Sequence, residues 1–323
     1  MQALRGVILD RMTLGDDLDL SPILNLDIDW TVYDHTEAQD VVERIQGANI
    51  VLCNKCNFSR DVIEAATSLK FMGLFATGYN NIDIEAARDN NIAVTNIRAY
   101  CTPSVTQHTL SLMLALSTHL PRYSRISTDG TWTNSQFFSI YDSPIMELAG
   151  KTLLIVGYGE LGRSVARVAE SLGMNILVAR TPGSSNHSDD RVELEDGLKQ
   201  ADVVSLHCPL TDQTRNMIAA PQLALMKPHA LLINTARGGM INEQDLADAL
   251  KQGIVGGAGI DVLTEEPPVN GNPLLDPEIP NLILTPHSAW AAKEARERAV
   301  QQVANNLTAF MKGEQLNRVD LGL

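Results

Sequence analysis

The sequence predicts an α/β fold, two doubly wound parallel-sheet domains with a cleft between them. Three observations carry this prediction. Apolar, strand-like runs alternate with polar or amphipathic segments in two successive series. The rhythm breaks once, near residue 100, where Pro103 stands at the start of a long helix. A glycine-rich turn sits between a strand and a helix at the head of the second series. At 323 residues the chain is too long for one ordinary core and suits two.

In the first series, strands are expected at "LRGVILD", "IDWTVYD", "NIVLC" and "FMGLF". Between them, "HTEAQDVVERI" and "SRDVIEAATSL" have the spacing of amphipathic helices. The segment "TNIRAYCTPSVTQHTLSLMLALSTHL" then crosses to the second domain. There "KTLLIV", "NILVA", "DVVSLHCP", "ALLINTA", "VGGAGIDV" and "LILTP" read as strands, with helical segments between most of them. The last segment, "AAKEARERAVQQVANNLTAFMKGE", places Ala299, Val303, Leu307 and Phe310 at helical spacing and is expected to return to the first domain. The domains are therefore expected at 1–100 with 289–323, and at 101–288.

Composition excludes several classes of function. A hydrophobic fraction of 44% fits a globular protein, and a net charge of −14 opposes a grip on phosphate backbones, so no nucleic-acid partner is expected. "MQALRGVILDRMTLG" lacks the long apolar core of a signal peptide and reads as a first strand. "SVTQHTLSLMLALSTHL" is the most apolar helical stretch, yet it carries Gln107, His108 and several hydroxyls, so no membrane partner is expected and the location reads as cytoplasmic. Cys53 and Cys56 form an isolated "CNKC" with no second Cys or His pair nearby, so no metal is expected.

The sharpest motif is "LLIVGYGELGRSVARVAESLGMNILVAR". Gly157, Gly159 and Gly162 fit G-x-G-x-x-G directly after a strand and before a helix. Such glycines serve the tight turn, the close approach of a pyrophosphate and the packing of helix on strand. The helix start adds unpaired N–H groups and a positive dipole end. This marks the second domain as a Rossmann-like dinucleotide-binding domain.

Taken together, "FATGYNNID", "SVTQHTLSLMLAL", "ELAGKTLLIVGYGELG", "LHCPLTDQTRNMI", "LLINTARGGMINEQDLADAL", "GAGIDVLTEEPP" and "LILTPHSAW" resemble the D-isomer-specific 2-hydroxyacid dehydrogenases over nearly the whole chain. "VTQH", "VGYGELGR" and "PHSAW" resemble most the glycerate dehydrogenase, or hydroxypyruvate and glyoxylate reductase, branch. The resemblance implies NAD(P)H-dependent reduction of a small 2-keto acid, and it implies that the first domain binds the substrate. Formate dehydrogenases are disfavoured because they carry Gln where Glu266 stands. A dinucleotide-sensing binding protein or corepressor on the same fold is the alternative.

Keto-acid reduction needs a cation for the carboxylate and carbonyl, a proton donor for the alkoxide, and a group that keeps the donor protonated. By resemblance these are Arg237 in "NTARGG", His287 in "TPHSAW" and Glu266 in "TEEPP". Singly, each also reads as structural: a strand-end cap, a hydrogen-bonded core histidine, a solvated loop charge. Jointly, each follows a strand-like run, where ligands of such folds sit. In "ATGYNN" the backbone N–H groups of Ala76, Thr77 and Gly78 could grip the substrate carboxylate as a nest, or form a plain turn.

The cofactor set implied by the resemblance adds Tyr158, Glu160 and Leu161 in the glycine loop, His207, Cys208, Pro209 and Thr214, and Thr235 with Ala236. It also implies that Asp261 holds the nicotinamide carboxamide and that His287 borders the cofactor. Lys55 faces the substrate in relatives but reads equally as a solvated lysine. Arg180 ends the second strand of the nucleotide fold, where NAD enzymes usually carry an acid, and Thr181, Ser184 and Ser185 follow with no carboxylate until Asp189. A guanidinium there favours NADP(H) over NAD(H), or else stacks on adenine with either. Trp132, Phe137 and Phe138 fall in a segment that extends to the partner subunit in relatives. They would fill a homodimer core or close a neighbour's pocket.

Overall fold

The structure, a computed structural model, describes residues 4–183 and 190–321. It divides into two compact units, Met1–Cys101 with Ala291–Leu323, and Thr102–Trp290.

In the first unit the chain runs through β1 (Leu4–Ile8), α1 (Ser21–Leu24), β2 (Ile28–Val32), α2 (Val41–Arg44), β3 (Ile50–Cys53), α3 (Arg60–Ala65), β4 (Phe71–Leu74), α4 (Ile84–Asp89) and β5 (Ala93–Thr95). The strands form one parallel sheet in the order β2-β1-β3-β4-β5. Every residue of β3 and β4 is buried, which is why they read as continuous apolar runs rather than alternating ones.

Two elements of this unit depart from expectation. Of "HTEAQDVVERI", only the end becomes helix, as a 3-10 turn at Ala38–Asp40 leading into α2. Its start is held out of the helix because buried Thr36 donates its hydroxyl to Leu9 O and Arg44 Nη1 takes His35 O at 2.5 Å. The short strand β5 was not expected. Its edge is completed from far along the chain: Val319 N donates to Val94 O at 2.9 Å, and Asp320 Oδ1 accepts from Val94 N at 2.9 Å.

The second unit opens with α5 (Thr102–Ser117) and α6 (Leu120–Thr128). It continues through β6 (Thr152–Val156), α7 (Glu160–Ser171), β7 (Asn175–Ala179), α8 (Leu194–Gln200), β8 (Val203–Leu206), α9 (Ala220–Leu223), β9 (Leu231–Asn234), α10 (Glu243–Lys251), β10 (Gly257–Ile260) and β11 (Leu282–Leu284). Its parallel sheet has the order β11-β10-β9-β8-β6-β7, so the strand order reverses between β6 and β8. In open α/β sheets, that reversal point at the carboxyl ends is where ligands bind. The chain then returns to the first unit with α11 (Lys293–Met311). Ala299, Val303 and Leu307 of α11 are buried, and the Phe310 ring lies 4.9 Å from that of Phe71 on β4.

Among the described residues no helix is long and apolar enough to cross a membrane, and no cluster of His, Cys, Asp or Glu could hold a metal ion. Burial pushes the Cys56 thiol up to about 12, and it raises Cys53 as well.

Candidate active site

The glycine loop lies at the strand-order reversal. Gly157 has φ +98°, and a Cβ there would stand 2.5 Å from Cys208 N and 2.6 Å from His207 C, so only glycine lets the ends of β6 and β8 come this close. A Cβ on Gly162 would meet Gly157 O at 2.1 Å, which presses α7 onto the turn. Around Gly159 a Cβ would meet nothing within 4 Å. That open face lies at the start of a twelve-residue helix whose N-cap carries no side-chain hydrogen bond, the surface a pyrophosphate needs. Glu160 accepts from Thr102 Oγ1, part-buried Tyr158 packs on the core beside the loop with the Arg163 guanidinium 5.5 Å over its ring, and Leu161 is half-buried.

The next two strand ends are locked from within. After β8, His207 Nε2 pairs with Ser205 Oγ at 2.8 Å, while Nδ1 is buried without a partner among the described residues; burial pushes the imidazole down to about 4, so it is neutral. Cys208 is buried against Met240 Sδ at 3.3 Å. The hydroxyl of buried Thr214 donates to Pro209 O at 2.8 Å and accepts from Thr211 N at 2.7 Å, so it staples this loop. After β9, Thr235 Oγ1 meets Thr109 Oγ1 of α5 at 3.0 Å.

Arg237 follows directly. Buried Asn234 accepts from Ala236 N at 3.0 Å and donates to Arg237 O at 2.9 Å, which fixes the turn. The Arg237 guanidinium rests one N–H on Ala236 O at 2.6 Å and has no carboxylate within ion-pair distance among the described residues. A Cβ on Gly238 would lie 2.0 Å from Leu263 C and 2.4 Å from Thr264 N, so the arginine turn touches, backbone to backbone, the turn that carries Glu266.

In that second turn Glu266 Oε1 accepts from Leu263 N at 2.8 Å, and Thr264 N donates to Glu243 Oε1 at 2.7 Å. Glu266 Oε2 lies 2.6 Å from His287 Nδ1, with the two side chains 33% and 30% exposed. His287 sits just past β11 in the left-handed region at φ +51°, its N–H donating to Asp261 O at 2.7 Å. Buried Asp261, at the end of β10, accepts through Oδ1 from Thr285 Oγ1 at 2.5 Å and Ser288 N at 2.9 Å, and through Oδ2 from Ala289 N at 2.9 Å. Burial opposes its charge, but His108 and these donors outweigh burial and hold the carboxyl below its usual range. A carboxylate at Nδ1 takes the N–H there and leaves Nε2 as the outward nitrogen, a donor in the imidazolium and an acceptor in the neutral ring.

At the end of β7, Arg180 Nη1 is paired with Glu193 Oε1 at 2.7 Å, and its Nε is buried with no partner among the described residues. Half-buried Thr181 follows, whereas Ser184, Ser185 and Asp189 lie outside the described residues. In the first unit, Ala76, Thr77 and Gly78 follow β4. Ala76 O and Thr77 O are taken by Ile97 N and Asn96 Nδ2, at 3.2 and 2.8 Å, and among the described residues none of the three N–H groups donates to the backbone. Lys55 is exposed, on a loop that the buried Asp10 carboxylate holds by accepting from Asn54 N and Lys55 N at 2.9 and 2.6 Å.

The second unit thus brings Arg237, Glu266 and His287 to one carboxyl edge of one sheet, beside a glycine loop with an open phosphate face. The residues that sequence reasoning missed are the supports: Asn234, Glu243, Thr109 and His108. Asn234 stands as a polar side chain in the apolar run "ALLINTA", whereas Glu243 and His108 lie among polar neighbours that mark nothing.

A parallel α/β sheet whose glycine loop, arginine and carboxylate-paired histidine share one carboxyl edge is the arrangement of a nicotinamide-dependent oxidoreductase. The pattern of the D-isomer specific 2-hydroxyacid dehydrogenase, NAD binding domain, matches residues 110–289, and the chain belongs to that family. It is 43% identical over 315 residues to a glycerate dehydrogenase of Methylorubrum extorquens, covering 97% of this chain and 98% of the relative. It is 38% identical over 309 residues to a hydroxypyruvate reductase of Blautia hydrogenotrophica, covering 91% and 95%. Among solved structures, an acyclic imino acid reductase in complex with NADPH and D-Arg superposes with a TM-score of 0.85 at 27% identity, covering 97% of this chain and 99% of that one. The protein is an NAD(P)-dependent oxidoreductase of 2-hydroxy and 2-keto acids.

Proposed function

We propose that the chain reduces a small 2-keto acid, hydroxypyruvate or glyoxylate foremost, to the D-2-hydroxy acid, reversibly, in the cytoplasm. The observation that carries this reading is the 2.6 Å bond between His287 Nδ1 and Glu266 Oε2, at the same sheet edge as the Arg237 turn. The names of the relatives, glycerate dehydrogenase and hydroxypyruvate reductase, support the substrate class. Met1–Cys101 with Ala291–Leu323 is assigned to the substrate and Thr102–Trp290 to the dinucleotide.

The planar fork of Arg237 holds the carboxylate and polarises the carbonyl, with the N–H groups of Ala76, Thr77 and Gly78 as further carboxylate donors. His287 gives the proton on Nε2 to the developing alkoxide, and Glu266 stabilises the imidazolium from the other side. In the oxidative direction the same nitrogen takes the proton back. The dinucleotide supplies the reducing pair of electrons when bound. Gly157–Gly162, Thr181, His207–Pro209, Thr214, Thr235, Ala236 and Asp261 are the residues that would hold it.

NADPH is the favoured cofactor in this reading, with the Arg180 guanidinium exchanging Glu193 for the 2′-phosphate. The exposed Trp132, Phe137, Phe138 and Tyr141, the last three 76%, 92% and 87% exposed, form an apolar patch of the kind that a second copy covers, and we assign a homodimer to it.

The test is a rate comparison across hydroxypyruvate, glyoxylate, pyruvate and longer 2-keto acids with both reduced cofactors. The two small acids should rank first, and failure to oxidise either cofactor with any of them sinks the reading. Arg180→Asp should swing kcat/KM toward NADH, and Glu193→Gln toward NADPH. A ratio unmoved by both removes the phosphate role.

A further inference from the structure

We infer that His108 is a positioning residue of the active site, holding the turn that presents His287 through an Nε2–H bond to Thr285 and Asp261. The inference rests on the acid/base reading of His287 proposed above and extends it to helix α5.

The direction of each bond follows from proton counting. Thr285 Oγ1 lies 2.5 Å from Asp261 Oδ1 and 3.0 Å from His108 Nε2. An ionised carboxylate can only accept, and a hydroxyl has one proton to give. That proton goes to Asp261, so the hydroxyl must accept from His108, and Nε2 must carry hydrogen. The same N–H also approaches Asp261 Oδ1 at 3.4 Å. The chain of donors therefore runs from the His108 imidazole to the Thr285 hydroxyl to the Asp261 carboxylate.

What hangs from Asp261 is the whole histidine turn. Its carboxylate takes Thr285 Oγ1, Ser288 N and Ala289 N, and its backbone oxygen takes His287 N. The left-handed region is strained for a non-glycine residue, and His287 at φ +51° keeps that conformation only while such bonds over-determine it. Without His108 the Thr285 hydroxyl loses the donor that orients it, and Asp261 loses its one imidazole among the described residues.

The neighbours of His108 act on the same loops. Ser104 Oγ donates to Ala289 O at 2.6 Å, and Thr109 Oγ1 meets Thr235 Oγ1 in the arginine turn at 3.0 Å. One helix thus registers the histidine turn and the arginine turn against each other. The His108 side chain is 23% exposed, so its contribution lies in the bond at Nε2 rather than in filling the core.

Two variants of the full chain separate the bond from the shape. His108→Leu removes the donor at similar volume, and His108→Gln keeps an N–H at nearly the reach of Nε2. With hydroxypyruvate or glyoxylate, His108→Leu should lower kcat about tenfold while the keto-acid KM stays within about twofold, since Arg237 is untouched and the acid is misplaced. His108→Gln should recover most of kcat. Amide hydrogen exchange across residues 285–289 should be faster in His108→Leu than in wild type or His108→Gln, a readout that needs no turnover. Wild-type kcat and exchange in His108→Leu would overturn the inference, as would a His108→Gln variant equal to His108→Leu in both. A wild-type protein inactive on every 2-keto acid would sink the proposed function instead, and exchange would still decide the anchor.

Discussion

In the proposed reaction His287 combines two demands in one residue, a left-handed backbone and a proton at Nε2, and substitution can pull them apart. Asn tolerates the left-handed region, so His287→Asn should melt within a degree or two of wild type yet lose roughly 10²-fold or more in kcat. His287→Ala should lose as much rate and some stability too. Glu266→Gln withdraws the negative charge 2.6 Å from Nδ1, so the rate of keto-acid reduction should fall about tenfold or more. Wild-type kcat in that variant would remove Glu266 from the acid/base pair. The placement of Arg237, Glu266 and His287 was legible in the sequence, because each stands in a motif just past a strand-like run. The bonds of Asp261 were not: resemblance implies a cofactor contact, and the structure adds that both carboxylate oxygens hold the histidine turn. No local pattern announces a hydrogen bond between residues 24 or more positions apart.

Among elements, long apolar runs and the long helices were readable, whereas short ones held by distant partners were not. Strand β5 has three residues and takes its outer edge from Asp320, 226 positions away, so neither periodicity nor a turn signal marks it. The first part of "HTEAQDVVERI" has helical spacing, but the Thr36 bond to Leu9 O overrides it. The glycine loop was readable at both levels, since steric demand and motif coincide there. Gly238 was not, because its constraint comes from Leu263. A methyl group there would sit 2.0 Å from a backbone carbon, so the turns carrying Arg237 and Glu266 would have to part. Gly238→Ala should cost about 3 kcal/mol in denaturant unfolding, and kcat should fall roughly 10²-fold even at temperatures where the variant stays folded. Wild-type turnover in Gly238→Ala would mean that the two turns move without consequence for the chemistry.

On the scale of the molecule, the amino ends of the strands carry stability while the carboxyl ends carry chemistry. Asp202 is buried at the start of β8, where it accepts from Thr152 N, Lys227 Nζ and His229 Nε2 at 2.8, 2.8 and 2.9 Å. Burial alone would raise its pKa, but these donors outweigh burial and lower it from 3.8 to about 2. A depressed folded-state pKa adds stability that is complete above the unfolded value and lost as pH falls through the folded one. Asp202→Asn should therefore be less stable by about 2 kcal/mol near neutrality, and the gap to wild type should close as the pH drops from about 4 to about 2. A gap constant over that range would rule out the carboxylate as its source. The covered edge of β5 has a further consequence, which concerns synthesis rather than the finished protein. Thr102–Trp290 is contiguous and complete once residue 290 has left the ribosome, but the first sheet keeps an open edge until residues 318–320 emerge. The half of the molecule made first is thus the last able to close. A nascent chain stalled before residue 318 would carry one finished unit and one with a bare strand, available to chaperones or to other stalled chains.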